Sequence, residues 1–170
     1  MMGFLKKIKE EKFYYFIIFI IFVLDYLTKF WITKKISPYH TKEIIKGFFN
    51  LTHIHNRGAV FGFLATSPNP NVFILLTILS FAAFVFIIYY FLRIPITEKH
   101  LKFSLSLVLG GAFGNLLDRL IHGYVIDFLD FYIKKYHWPA FNIADASITI
   151  GAIILIATII FRRPRCTLCS

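Results

Sequence analysis

Two aspartates stand where an ionised side chain is expensive. Asp118 closes the run Gly110-Gly111-Ala112-Phe113-Gly114-Asn115-Leu116-Leu117-Asp118-Arg119, and Asp145 sits in Phe141-Asn142-Ile143-Ala144-Asp145-Ala146. A charge in hydrocarbon costs roughly 3 kcal/mol or more, so acids in such surroundings are few and mark function by default. Brought together at one depth, two carboxylates read as an acid–base pair. Repulsion keeps them from ionising together, so the pair holds one proton that belongs to neither residue alone. The charged member can take a proton from water while the neutral one polarises a carbonyl.

Spacing around both acids supports a polar face. On a helix Asn115 neighbours Asp118 and Arg119, and Asn142 and Asp145 repeat the three-residue step. Gly110 and Gly114 form a small-xxx-small pair that lets another helix approach closely. Structural readings stand beside the chemical one. Asn142 can cap a helix whose first turn holds Asp145, and Asp118 can pair with Arg119 or a lysine. A third acid, Asp25, has the i, i+4 spacing of an ion pair with Lys29, whose long stem can reach outward. Asp127, in Val125-Ile126-Asp127-Phe128, can cap a short helix.

Other chemistries find less support. His53-Ile54-His55, with His40 as a third ligand, would suit a transition metal, but no HExxH accompanies it. No GxSxG or glycine-rich phosphate loop occurs. Cys166 and Cys169 follow Arg162-Arg163-Pro164-Arg165 without a second ligand pair and read as a frayed tail. No metal or cofactor is expected.

The elements that must position the acids are membrane helices. Of 170 residues 58% are hydrophobic and only 16% charged, outside the range of ordinary soluble domains. The net charge of +10 sits mainly in connections and tails, so membrane flanks explain it and no nucleic-acid partner is expected. Crossing a bilayer takes about 20 apolar residues, and four runs qualify: 13–32, 72–92, 101–121 and 143–161. The first is too long for a signal-peptide core and lacks a small-residue cleavage site.

Lys6, Lys7, Lys9 and Lys12, then Arg93, Lys99 and Lys102, then Arg162, Arg163 and Arg165 would share the cytoplasmic side. Both termini are then cytoplasmic, and connections 33–71 and 122–144 face outward. This topology puts Asp118 near the outer end of the third span and Asp145 near the outer start of the fourth. Partial alternation over 43–62 predicts short strands with bends at Gly58 and Gly62. Ser67-Pro68-Asn69-Pro70-Asn71 reads as a turn, and 125–132 as a short helix lying on the membrane surface.

Five blocks, in order, resemble bacterial lipoprotein signal peptidase (signal peptidase II): Asp25-x-x-Thr28-Lys29, Asn56-Arg57-Gly58-Ala59-Val60-Phe61, Gly110 through Arg119, Val125-Ile126-Asp127-Phe128 and Phe141-Asn142-Ile143-Ala144-Asp145. The third and fifth are specific; the others alone would be weak. The resemblance implies an all-α polytopic membrane protein of four transmembrane helices, with an extracytoplasmic β-cradle and a short outer helix. It implies an aspartic endopeptidase with Asp118 and Asp145 as the catalytic pair. Asn56, Asn115, Arg119 and Asn142 would form the polar surround, with Asp25, Lys29, Asp127 and Gly58 supporting. The substrate would be a prolipoprotein carrying diacylglycerol on its lipobox cysteine, cleaved just before that cysteine. A single peptidase domain over 1–170, monomeric and in contact with lipid in the bacterial inner membrane, is expected. Val60 and Phe113 replace the family's usual Ala and Leu, which alters pocket shape more than chemistry, and the cysteine-bearing tail lies outside the pattern.

Two rival classes remain open. A proton- or cation-coupled carrier would line a route with Asp25, Asp118 and Asp145, although no broken helices or repeats accompany them. A noncatalytic scaffold would bind lipidated precursors without cleaving them.

Overall fold

The computed structural model describes residues 2–58 and 70–161, with side chains at 11–58 and 71–161. Element order is α1 (Met2–Lys35), β1 (Thr41–Ile45), β2 (Phe49–Asn56), α2 (Pro70–Arg93), α3 (Lys99–His122), β3 (Val125–Ile133), β4 (Tyr136–His137) and α4 (Ile143–Ile160). Four segments, Glu11–Lys35, Asn71–Arg93, Lys99–His122 and Ile143–Ile160, are long and apolar enough to cross a membrane. They match the expected runs to within a few residues. Their outward faces are apolar because a lipid-facing helix must satisfy its backbone internally and show hydrocarbon outside.

α3 is the hub. It packs on α1, α2 and α4, and small residues set how closely. A Cβ on Gly110 would meet Ile21 Cβ at 2.8 Å and the Ile18 carbonyl at 2.9 Å. A Cβ on Gly114 would fall on Asp25 Oδ2, and one on Gly111 on the Ala144 carbonyl and Ser147 Oγ. Glycine at these points therefore lets α1 and α4 pack closely on neighbouring faces of α3, and for α1 this is what the Gly110/Gly114 spacing suggested.

Two apolar clusters bracket the polar middle of α1. Tyr14 and Ile17 join Phe91, Ile94, Leu101, Leu105 and Leu109 at the end remote from the strands. Ile32 and Ile36 join Ile126 and Phe128 beneath the sheet. Asp25 and Lys29 lie on α1 between these clusters.

The strands form one antiparallel sheet in the order β1-β2-β3-β4. Asn56 faces Val125 and Asn50 faces Asp130, and an irregularity between Leu51 and Ile54 interrupts the alternation. Thr52 and His53 are consequently both buried, the result expected of a bulge that re-aims side chains.

This sheet corrects the expected fold in one respect. Residues 125–133 are strand β3, not a surface helix, so the sheet side of the molecule is larger than an all-α class implies. Val125, Ile126, Phe128, Phe131, Tyr132 and Ile133 favour strand, and pairing with β2 satisfies backbone groups that β2 would otherwise leave open. Asp127 therefore caps no helix. Gly62, residues 59–61 of the second block, positions 67–69 of the expected 67–71 turn and the cysteine tail lie outside the described residues, and Pro70 and Asn71 open α2.

Candidate functional site

The N-terminus of α4 fixes Asp145. Asn142 accepts the Asp145 N–H on Oδ1 at 2.9 Å, while Asp145 Oδ2 accepts the Asn142 N–H at 3.3 Å, closing a capping box. Asp25 reaches across from α1 and accepts the Ala144 N–H at 2.9 Å. Two carboxylates thus satisfy orphan donors at the positive end of one helix dipole.

Lys29 turns inward rather than toward the membrane surface and is 2% exposed. Its Nζ lies 2.7 Å from Asp25 Oδ2 and 2.8 Å from Asp118 Oδ2, and donates to Asn115 Oδ1 at 2.9 Å. Asp118 Oδ2 also accepts the Ile126 N–H at 3.3 Å. Asn115 completes the link, its Nδ2 donating to Asp145 Oδ1 at 2.8 Å. Asp118 and Asp145 are therefore connected through one lysine and one asparagine.

Asn142 does more than cap. Its Nδ2 donates to Asp127 Oδ1 at 2.8 Å and lies 3.2 Å from Asn115 Oδ1. Asp127 Oδ2 accepts from Asn56 Nδ2 at 2.9 Å. Gly58 donates its N–H to Asn56 Oδ1 at 2.8 Å, and its carbonyl accepts from Arg119 Nη2 at 3.2 Å. Arg119 Nε is buried with no hydrogen-bond partner among the described residues. Every proposed site residue thus joins one connected cluster drawn from α1, β2, α3, β3 and α4.

Four carboxylates here face two permanent cations, so full ionisation would leave two negative charges uncompensated. Asp127 takes up part of this imbalance by ionising less readily. Burial, and next the charge of Asp145, push its pKa up to about 7. Away from the cluster, burial first, then His53, Arg57 and His122, press His55 below its ordinary pKa.

Asp145, Asn115, Arg119 and Asn56 open onto a cavity of about 230 Å³ between α2, α3 and α4. Apart from Ser80, the rest of its wall is apolar, including Leu76, Phe84, Ile87, Val108 and Ile148. Polar groups thus cluster at the sheet end of a groove that is otherwise hydrocarbon. These lining residues carry no chemical signal in the sequence. The Ile126 N–H and Gly58 carbonyl were equally invisible there, being backbone groups placed only by the sheet.

The family model of signal peptidase (SPase) II matches residues 17–161. The chain belongs to the signal peptidase II family. It is 42% identical over 152 residues to the lipoprotein signal peptidase of Francisella tularensis subsp. novicida, covering 89% of this chain and 94% of that one. To the lipoprotein signal peptidase of Syntrophus aciditrophicus it is 43% identical over 141 residues, covering 83% and 88%. A solved bacterial membrane enzyme at 2.3 Å resolution superposes with a TM-score of 0.74 and 32% identity, over 88% of each chain. With four helices of spanning length, this signal peptidase II family member is an integral membrane protein.

Proposed function

We propose that the protein is an intramembrane aspartic endopeptidase that removes signal peptides from diacylglyceryl-modified prolipoproteins, cutting before the lipidated cysteine. One observation carries the reading: Asp145 faces an amphipathic groove while Asn115 and Lys29 tie it to a second buried carboxylate, Asp118. A peptide lying at the polar end would leave acyl chains against Leu76, Phe84 and Ile148.

In this mechanism the pair carries one proton. The ionised carboxylate takes a proton from water as its oxygen attacks the scissile carbonyl carbon, and the neutral partner donates its proton to the carbonyl oxygen. Collapse of that intermediate breaks the carbon–nitrogen bond as the nitrogen gains a proton. Asn115, Asn142 and Lys29 hold the two acids in register, and Arg119, whose side chain lines the groove, offers a guanidinium donor to the peptide. The basic flanks support an orientation with both termini cytoplasmic and the sheet outside, with cleavage near the outer face of the inner membrane. The lipid-modified precursor and bilayer lipid are the partners of a monomeric enzyme.

The test uses purified protein and a diacylglyceryl-modified precursor, with the cut located by mass spectrometry. Cleavage on the amino side of the cysteine is expected, with turnover down more than ~100-fold in Asp118→Asn and in Asp145→Asn. Near-parental turnover by either variant would remove that residue from the mechanism.

A further inference from the structure

His-x-His on a strand puts two imidazoles on one face, and β2 does so with His53 and His55 beside the acidic cluster, not within it. His53 is buried and donates its Nδ1–H to the Ile36 carbonyl at 2.7 Å. Its other ring nitrogen, Nε2, meets Nε2 of His55 at 3.2 Å. His55 is held in place by stacking on Tyr124, ring centres 3.8 Å apart at 14°.

The hydrogen-bonded nitrogens of the two rings stand at a useful separation. Zinc–nitrogen bonds of about 2.0–2.1 Å in tetrahedral geometry place two ligand nitrogens roughly 3.3–3.4 Å apart. The backbone carbonyl on the opposite nitrogen of His53 is the usual outer-shell support of a metal-bound histidine, fixing both tautomer and ring direction.

We propose that His53 and His55 form a two-imidazole binding site for a divalent transition metal of the zinc and copper class. The metal would take the place of the hydrogen between the two Nε2 atoms, and His55 would carry that hydrogen on Nδ1 instead, so no imidazolate forms. The donor set selects the metal. It has nitrogen ligands and no carboxylate, which suits zinc, copper or nickel and not magnesium or calcium. His40, the third ligand suggested by the sequence, turns its Nδ1 to the Pro38 carbonyl at 3.0 Å. Among the described residues no third histidine, cysteine or acid completes a cluster, so water fills the remaining positions and the metal exchanges readily. The site is separate from the proposed proteolysis, which needs no metal.

The experiment uses full-length, tag-free protein carrying Cys166→Ser and Cys169→Ser, so that tail thiols do not compete. Zinc is titrated calorimetrically, and copper(II) is followed by electron paramagnetic resonance. One equivalent should bind, with two nitrogens coupled to copper. His55→Gln and His53→Gln should each weaken binding by at least ~10-fold, while His40→Gln leaves it unchanged. Unfolding midpoints confirm that the variants fold; should His53→Gln fail, the half-buried His55→Gln decides. Absence of saturable binding, fewer than two coupled nitrogens, or unaltered affinity in His55→Gln would overturn the proposal. Precursor cleavage is measured separately, so failure here leaves the peptidase reading intact.

Discussion

Replacing Lys29 with methionine keeps most of its stem and removes only the ammonium. Asp25 is then 0% exposed and Asp118 7% exposed with no cation between them. At an effective dielectric of about 20, each contact near 2.8 Å represents a gross attraction on the order of 6 kcal/mol. Much of that offsets desolvation in the native protein, and breaking a buried pair by deleting one partner costs about 3–5 kcal/mol. For a chain of this length 1 kcal/mol corresponds to roughly 2–4 °C, so the unfolding midpoint in detergent should fall by about 6–20 °C. Precursor cleavage should fall at least ~100-fold, since the amine also fixes Asn115 and hence Asp145. Adding Asp25→Asn to Lys29→Met removes one uncompensated charge and should recover part of the stability without the activity. A Lys29→Met protein that melts within a degree or two of the parent and cleaves at the parental rate would refute this account of the cluster.

Asp127 gives a pH signature. Its folded pKa of about 7 lies above the ordinary 3.8, so the native state binds the proton more tightly and its stability falls as pH rises through that interval. Asp127→Asn should flatten that slope; equal losses of unfolding midpoint between pH 5 and pH 8 in parent and variant would contradict it. Asn142→Ala should cost about 0.5–2 kcal/mol through the lost cap alone. Asn142→Ser restores the cap but not the bonds to Asn115 and Asp127, so melting should recover while cleavage stays low. Ala83→Phe fills the groove, and kinetics with the diacylated precursor should show a higher KM with kcat largely kept.

Much of this architecture can be read from residue order because hydrocarbon imposes strict rules. Helix lengths follow from apolar runs, and Gly110 and Gly114 announce the close face toward α1. Lys29 shows where such reading stops. Its spacing gives the Asp25 pair, but the second carboxylate comes from a helix some 90 residues on, which local pattern cannot register. Over 125–132 apolar residues mixed with Asp127 and Asp130 suit a surface helix as well as a strand, and local pattern does not choose between them. Strand pairing with β2 prevailed, giving each acid an asparagine partner, Asn56 and Asn50. Asn142 was legible as a cap, and it caps α4 while its Nδ2 also reaches Asn115 and Asp127.

The groove between α2, α3 and α4 lies among helices of membrane-spanning length, and most of its wall is hydrocarbon. An unoccupied enzyme in a bilayer would therefore hold ambient phospholipid there, not solvent. A precursor would compete with those molecules for the same space, so its apparent affinity should follow mole fraction in the membrane, not concentration in bulk. Diluting enzyme and substrate with extra vesicles at constant volume should slow the reaction, whereas diluting the whole suspension with buffer should leave the rate per enzyme almost untouched.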